Sequence, residues 1–260
     1  MNMDVFFTLP QVGEDYLKED TTVVVIDVLR ATTTICHALA HGCHSLIPVS
    51  DLGEATGFVE SLGRDNCLLG GERNGQKISG FDFGNSPAEY TAAKVRHQNI
   101  VFLTTNGSRI ISRFRSASRV LIASFANMSR VVNFLKETGG QVAICCAGQR
   151  DQFCLEDSVC AGMIVQRLVE HFPEARLNDA ARVGQVLAAS YADNLKACFE
   201  EASHGRHLQS IGFESDLALC AQIDSLEVLP FYANERITLA PEPSPLRESR
   251  PVDVDGPALS

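Results

Sequence analysis

Thr22-Val23-Val24-Val25-Ile26-Asp27-Val28 is a β-branched run that ends in an acid, followed closely by Ala31-Thr32-Thr33-Thr34. An apolar run of this length, bounded by polar residues, reads as a strand of a parallel sheet buried on both faces. The next residues, from Thr34 to Ala40, carry Ile35 and Leu39 at helical spacing, and Gly42 stands where a glycine ends a helix. The pair is a strand and a helix, and it recurs. Ser45-Leu46-Ile47-Pro48-Val49 reads as strand, Asp51 as the N-cap of a helix to Leu62, and Cys67-Leu68-Leu69 as the strand after it. Ile100 to Thr104, Val120 to Ala123 and Val142 to Cys146 are further buried strands, separated by helices bearing Ile110, Ile111 and Phe114 and then Val131, Val132 and Leu135. Such alternation predicts an α/β fold, layered α/β/α around a mostly parallel sheet, built as one domain or as two α/β lobes.

From Leu155 the chain reads as more helical. Cys160, Met163, Ile164, Leu168 and Phe172 form one apolar stripe, and Val183, Leu187, Tyr191 and Leu195 a second with a four-residue step, so both are expected in the core. The segment from Leu226 to Tyr232 predicts a last strand. Residues 1–240 are thus expected to form the folded α/β domain, and 241–260, with five prolines and no apolar period, a disordered tail.

With 260 residues, 45% hydrophobic and 21% charged, the composition is that of a soluble globular protein. A formal net charge of -10 argues against general binding to nucleic acid or an anionic membrane, which needs clustered Lys and Arg. No segment reaches the ~18 apolar residues of a membrane span and the N-terminus lacks a basic start, so a cytoplasmic location is expected. The nine cysteines are odd in number and scattered, with no Cys-x-x-Cys pair, which fits a reduced compartment and argues against structural zinc. The oligomeric state, a homodimer included, is left open.

Chemistry concentrates in loops that follow strands. Gly71-Glu72-Arg73-Asn74-Gly75 leads into Gly80-Phe81-Asp82-Phe83-Gly84-Asn85-Ser86-Pro87, Asp27 and Arg30 follow the first run, and Thr105-Asn106-Gly107-Ser108 and the stretch from Cys146 to Glu156 follow two others. Parallel strands share a carboxyl edge, so these loops should meet at one crevice. Asp27, Glu72, Asp82 and Glu156 are candidate ligands of a hard cation such as Mg²⁺. Arg30 and Arg73 are candidates for an anion, with Asn85, Ser86, Thr105, Asn106, Gly107 and Ser108 as neutral groups around it. Taken alone, Glu156 and Asp157 read as acids of a helix first turn. Together the set points to a small phosphorylated ligand, and no nucleotide-binding glycine motif is present. An aspartate-nucleophile phosphatase needs a second acid two residues after Asp27, where Leu29 stands, and a cysteine phosphatase needs five residues between Cys and Arg, where Cys145 has four and Cys146 three before Arg150. The nucleophile is therefore read as water oriented by Asp157, with the Cys146 thiol as the covalent alternative. His204 and His207, flanking Gly205 with no Cys or third His near in sequence, read as solvated or supporting groups rather than transition-metal ligands.

In order and in combination, Val25-Ile26-Asp27-Val28-Leu29-Arg30-Ala31-Thr32-Thr33-Thr34, the two glycine segments above, Thr104-Thr105-Asn106-Gly107-Ser108-Arg109, Cys146-Ala147-Gly148 and Leu155-Glu156-Asp157 resemble the 2-phosphosulfolactate phosphatase (ComB) family from about residue 20 to 235. The resemblance implies a Mg²⁺-dependent phosphatase that releases phosphate from 2-phospho-3-sulfolactate in coenzyme M biosynthesis, on an α/β fold distinct from the common phosphatase folds. Ser108 stands where Thr is commoner, and Asn74 where Gly is. A non-catalytic phosphometabolite-binding protein is the competing reading; the cluster of acids argues against it, because bare carboxylates repel phosphate.

Overall fold

In the computed structural model, which describes residues 1–13 and 21–239, the run that opens at Thr22 is a strand buried along its length. The strands are, in chain order, β1 (Asn2–Phe6), β2 (Thr21–Ile26), β3 (Ser45–Val49), β4 (Leu68–Arg73), β5 (Gln76–Lys77), β6 (Asn99–Leu103), β7 (Arg119–Ala123), β8 (Gln141–Cys146), β9 (Arg176–Leu177), β10 (Pro230–Ala233) and β11 (Arg236–Leu239). The α-helices are α1 (Ala31–Ala40), α2 (Leu52–Leu62), α3 (Ala92–Val95), α4 (Gly107–Arg113), α5 (Met128–Thr138), α6 (Leu155–His171), α7 (Asp179–Tyr191), α8 (Leu195–Glu201), α9 (Ser203–Ser210) and α10 (Glu214–Cys220). Asp51 caps α2 as its sequence position predicts, accepting from the Glu54 N–H at 2.9 Å. The tail expected from residue 241 lies outside the described residues.

The strands form one eleven-stranded sheet in the order β5-β4-β6-β3-β11-β10-β7-β2-β8-β1-β9. Two parallel blocks, β4-β6-β3 and β7-β2-β8-β1-β9, are joined by the antiparallel hairpin of β10 and β11. The strand expected from Leu226 starts at Pro230 and is one arm of that hairpin.

Three successive antiparallel pairings reverse β7 relative to β3, so a flat sheet would put the carboxyl ends of β2 and β4 on opposite edges. Sheets are not flat. Each neighbouring pair twists by roughly 20–25°, and six steps separate β2 from β4, so the accumulated rotation of roughly 120–150° turns the two blocks back toward a common direction. The ends of β2, β4 and β6 then face one crevice.

Side-chain alternation along β2 sorts two of the three cores. Val23 and Val25 join Leu46, Phe102 and Ile122 beneath α1 and α4, whereas Val24 and Ile26 join Val131, Leu135, Ile164 and Leu168 beneath α5 and α6. Ile47, Val49, Val101 and Leu103 pack with Ala55 of α2 in the third. Helices thus cover both faces, which is the layered arrangement that alternating elements dictate.

The second helical stripe is corrected in part. Leu195 is buried and Leu187 and Tyr191 pack against the core, but Val183 is 48% exposed and the buried face of α7 presents Ala181, Gly184 and Ala188. The reason is close approach: a Cβ built on Gly162 of α6 would lie 1.9 Å from the Gly184 carbonyl oxygen. Two helices this near each other select their smallest face, which an apolar-periodicity reading ranks last. Gly162→Ala should therefore cost about 1–3 kcal/mol through overpacking despite the better helix propensity of Ala, whereas Gly57→Ala in α2, with open space around it, should stabilise by up to about 1 kcal/mol. Thermal denaturation of both variants checks this; equal melting temperatures would reject the close-approach account.

Candidate active site

The site begins where β2 hands over to α1. Asp27 accepts the Thr32 N–H at its carbonyl (2.9 Å) and the Ala31 N–H at its carboxylate (3.3 Å), while its own N–H donates to Thr32 Oγ1. These bonds hold the acid at the strand end. A Cβ on Gly107 would lie 2.7 Å from Asp27 Oδ2 and 2.4 Å from the Ala31 side chain, so Gly107 is required by the approach of Asp27 and α1 to α4.

Three more carboxylates converge there, all buried. Glu72, near the end of β4, accepts the backbone N–H groups of Gly75 and Thr105, each at 2.7 Å, and the Thr105 hydroxyl at 3.1 Å. Asp157, in the first turn of α6, accepts the N–H groups of Val28 (2.8 Å) and Gly148 (3.3 Å), stapling the ends of β2 and β8 together. Glu156 precedes it with one oxygen 3.5 Å from His204 Nδ1 and the other buried without a partner.

Burial raises the Asp27 pKa to about 6, with the negative fields of Glu72 and Glu156 adding to it and His204 and the Ala31 N–H opposing. Asp157 is pushed well above the usual carboxylate range by burial, then by Glu156 and Asp27. For His204 burial works against the charged ring, yet contact with Glu156 outweighs it and raises the imidazole above its ordinary value.

The crevice is lined by Asp27, Glu72 and His204 together with Asn74, Asn85, Asn106 and Arg150, while Glu156 stands behind it against His204. The cleft is small and polar, on the scale of a small anion. Asn85 Oδ1 is also buried without a partner. The donor set is all oxygen at Asp27 and Glu156, with lone pairs left open, and such a set fits a hard divalent cation such as Mg²⁺.

Several sequence candidates sit elsewhere. Asp82 is paired with Arg64 at 2.8 Å and accepts the Leu69 N–H, outside the crevice lining; the glycine loop turns it away from the other acids. Arg73 borders a separate hollow beside Ser50 and Thr104, because the β4–β5 turn points it away from the crevice. Cys146 lies wholly in the core between β8 and α6, where burial holds its thiol well above the ordinary value, so it offers no nucleophile to the crevice. Arg30 lines the crevice, but one nitrogen donates to Asp216 (2.7 Å) and another to the Gly75 carbonyl (2.6 Å). Ser86 donates to the Asp216 carboxylate and Ser108 exchanges bonds with Thr104 at the start of α4, and neither is in the crevice lining. Thr105 and Asn106 do line it, with Asn106 Oδ1 accepting the Arg150 N–H.

Sequence reasoning missed Arg150 and Asp216 and placed His204 among solvated or supporting groups. Arg150 sits at φ 52 in a turn, its guanidinium donating to neutral Asn74 Oδ1. Asp216 and His204 come from helices more than 45 residues beyond the other site residues, and only the fold reveals that they belong here.

Comparison with known proteins gives the family. Residues 7–235 match the family described as 2-phosphosulpholactate phosphatase. Curated relatives include a probable 2-phosphosulfolactate phosphatase of Symbiobacterium thermophilum, 44% identical over 83% of this chain and 93% of its own length. Those of Thermotoga petrophila (40%, over 83% and 91%) and Caldanaerobacter subterraneus (35%, over 90% and 96%) carry the same description. The chain belongs to the 2-phosphosulfolactate phosphatase family.

Proposed function

We propose that the protein hydrolyses the phosphate monoester of 2-phospho-3-sulfolactate, or of a similar small phospho-hydroxyacid, with Mg²⁺. The observation that carries this reading is a small polar crevice lined by Asp27 and Glu72, with Glu156 behind it against His204 and one Glu156 oxygen unpartnered. A phosphate binder without a cation would have to overcome three carboxylates. Asp27 and Glu156 hold the cation, which on binding neutralises charge on the phosphoryl oxygens. Glu72 keeps Thr105 and Gly75 in place at the crevice wall. The Arg150 guanidinium, whose side-chain partner in the crevice is neutral, receives the dianion in the role that sequence reasoning gave to Arg73.

Phosphate release from phosphosulfolactate and phospholactate, assayed with Mg²⁺ and with EDTA, should be fast only with Mg²⁺, and Asp27→Asn should lower it at least about 100-fold while leaving the fold intact. No release from either compound in Mg²⁺ would leave the binding-protein reading standing.

A second outcome needs no substrate. Asp27 binds its proton more tightly folded (about 6) than at its ordinary 3.8, so the metal-free protein loses stability as pH rises through that window, by about 3 kcal/mol from this group. His204, also raised, acts in the same direction at higher pH. Mg²⁺ competes with the proton, so it should raise the melting temperature clearly at pH 7.5 and little at pH 4.5. An equal shift at both values would remove Asp27 from the cation site.

Arg150→Gln should raise KM about 10- to 100-fold with a smaller change in kcat, the loss of one charged hydrogen bond, while Arg73→Gln should stay within about twofold of the parent. The reverse ranking in steady-state kinetics would restore Arg73 as the anion-holding group.

A further inference from the structure

The acid cluster has a second side whose donors are not all oxygen. Cys154, immediately before α6, Glu156 in its first turn and His204 of α9 present a thiol, a carboxylate oxygen and an imidazole nitrogen that all lie within 4.8 Å of one another. Both Cys154 and Glu156 are buried, and His204 lines the crevice. The 3.5 Å between His204 Nδ1 and Glu156 Oε1 is long for a hydrogen bond between these groups. It is, however, the separation of about 3.3–3.5 Å that nitrogen and oxygen ligands with arms of about 2.0–2.2 Å adopt on one tetrahedral ion. A thiolate arm of about 2.3 Å places sulfur about 3.6 Å from each, within the 4.8 Å that bounds all three donor atoms here. Glu156 Oε2, buried and unpartnered, adds uncompensated negative charge at the same point.

Cation class follows from ligand softness. Mg²⁺ demands oxygen, whereas a thiolate with an imidazole selects a borderline ion. We propose that Cys154, Glu156 and His204 form a site for a divalent cation of the Zn²⁺ and Co²⁺ class, with its fourth position open to water or an anion in the crevice. Spacing within Ser203-His204-Gly205-Arg206-His207 argued against such a site because it offers no third ligand nearby; the fold brings two ligands from about fifty residues away. The site does not depend on the phosphatase reading.

Co²⁺ added to the metal-free full-length protein tests the idea by absorption spectroscopy. One equivalent should bind with a thiolate-to-cobalt band in the near ultraviolet; Cys154→Ser should lose that band, and His204→Gln should weaken binding at least about 100-fold, beyond what loss of an outer partner costs. Absence of the band in the parent protein, or its persistence in Cys154→Ser, overturns the proposal. If Cys154→Ser does not fold, the ¹¹³Cd resonance of the cadmium-loaded parent decides between one sulfur ligand and none, and none overturns it.

Discussion

The buried ion pair between Arg30 and Asp216 is the constraint on which the geometry of the crevice depends. The guanidinium donates to Asp216 and to the Gly75 carbonyl and stacks 4.1 Å over Phe213, while the second Asp216 oxygen accepts Ser86. Gly75 in turn donates to Glu72, which accepts Thr105. Segments following β2, β4 and β6 are thereby tied to α10 through a single chain of charge-assisted bonds. Taking both charges out of water is costly, and a pair of well-packed apolar residues would hold the fold about as well. What apolar packing cannot supply is direction: the pair fixes where the Gly75 carbonyl and the Ser86 hydroxyl point, and so where Glu72 and Asn85 sit.

A similar balance governs the acids themselves. Four buried carboxylates within one crevice repel one another, and the raised proton affinities of Asp27 and Asp157 measure that repulsion together with lost hydration. The fold offsets part of it with backbone N–H groups at Glu72 and Asp157 and leaves Glu156 least compensated. Stability is thus surrendered at one place, where a cation restores it, as functional sites commonly do.

Much of this was legible in the chain. The strand at Val23 to Ile26, the Asp51 cap and the helix after Ala31 follow from local rules, and the concentration of chemistry in strand-end loops grouped Asp27, Glu72 and Thr105 in advance, although sheet twist rather than one shared carboxyl edge brings them to the crevice. Three kinds of fact were not legible. Direction within a loop decides that Asp82 turns to Arg64 and Arg73 leaves the crevice, and no pattern encodes it. Small-residue faces such as Gly162 and Gly184 carry no hydrophobic period. Long-range partners such as Asp216 and His204 come from helices whose own sequences read as ordinary amphipathic surface.

The crevice also dictates how its ligands relate to one another. It is small, with Asp27 and Glu72 in its lining, Glu156 and Asp157 buried behind them, and Arg150 as a guanidinium that faces it without an acidic partner in its hydrogen bonds. A dianion entering alone meets net repulsion, and a cation entering alone leaves its remaining coordination positions to water. Each reduces the cost of the other, so their affinities must be coupled, and by linkage the coupling is equal in both directions. Selectivity then rests on charge and size at the cation, where Glu156 stands between an oxygen set around Asp27 and a thiol–imidazole set at Cys154 and His204.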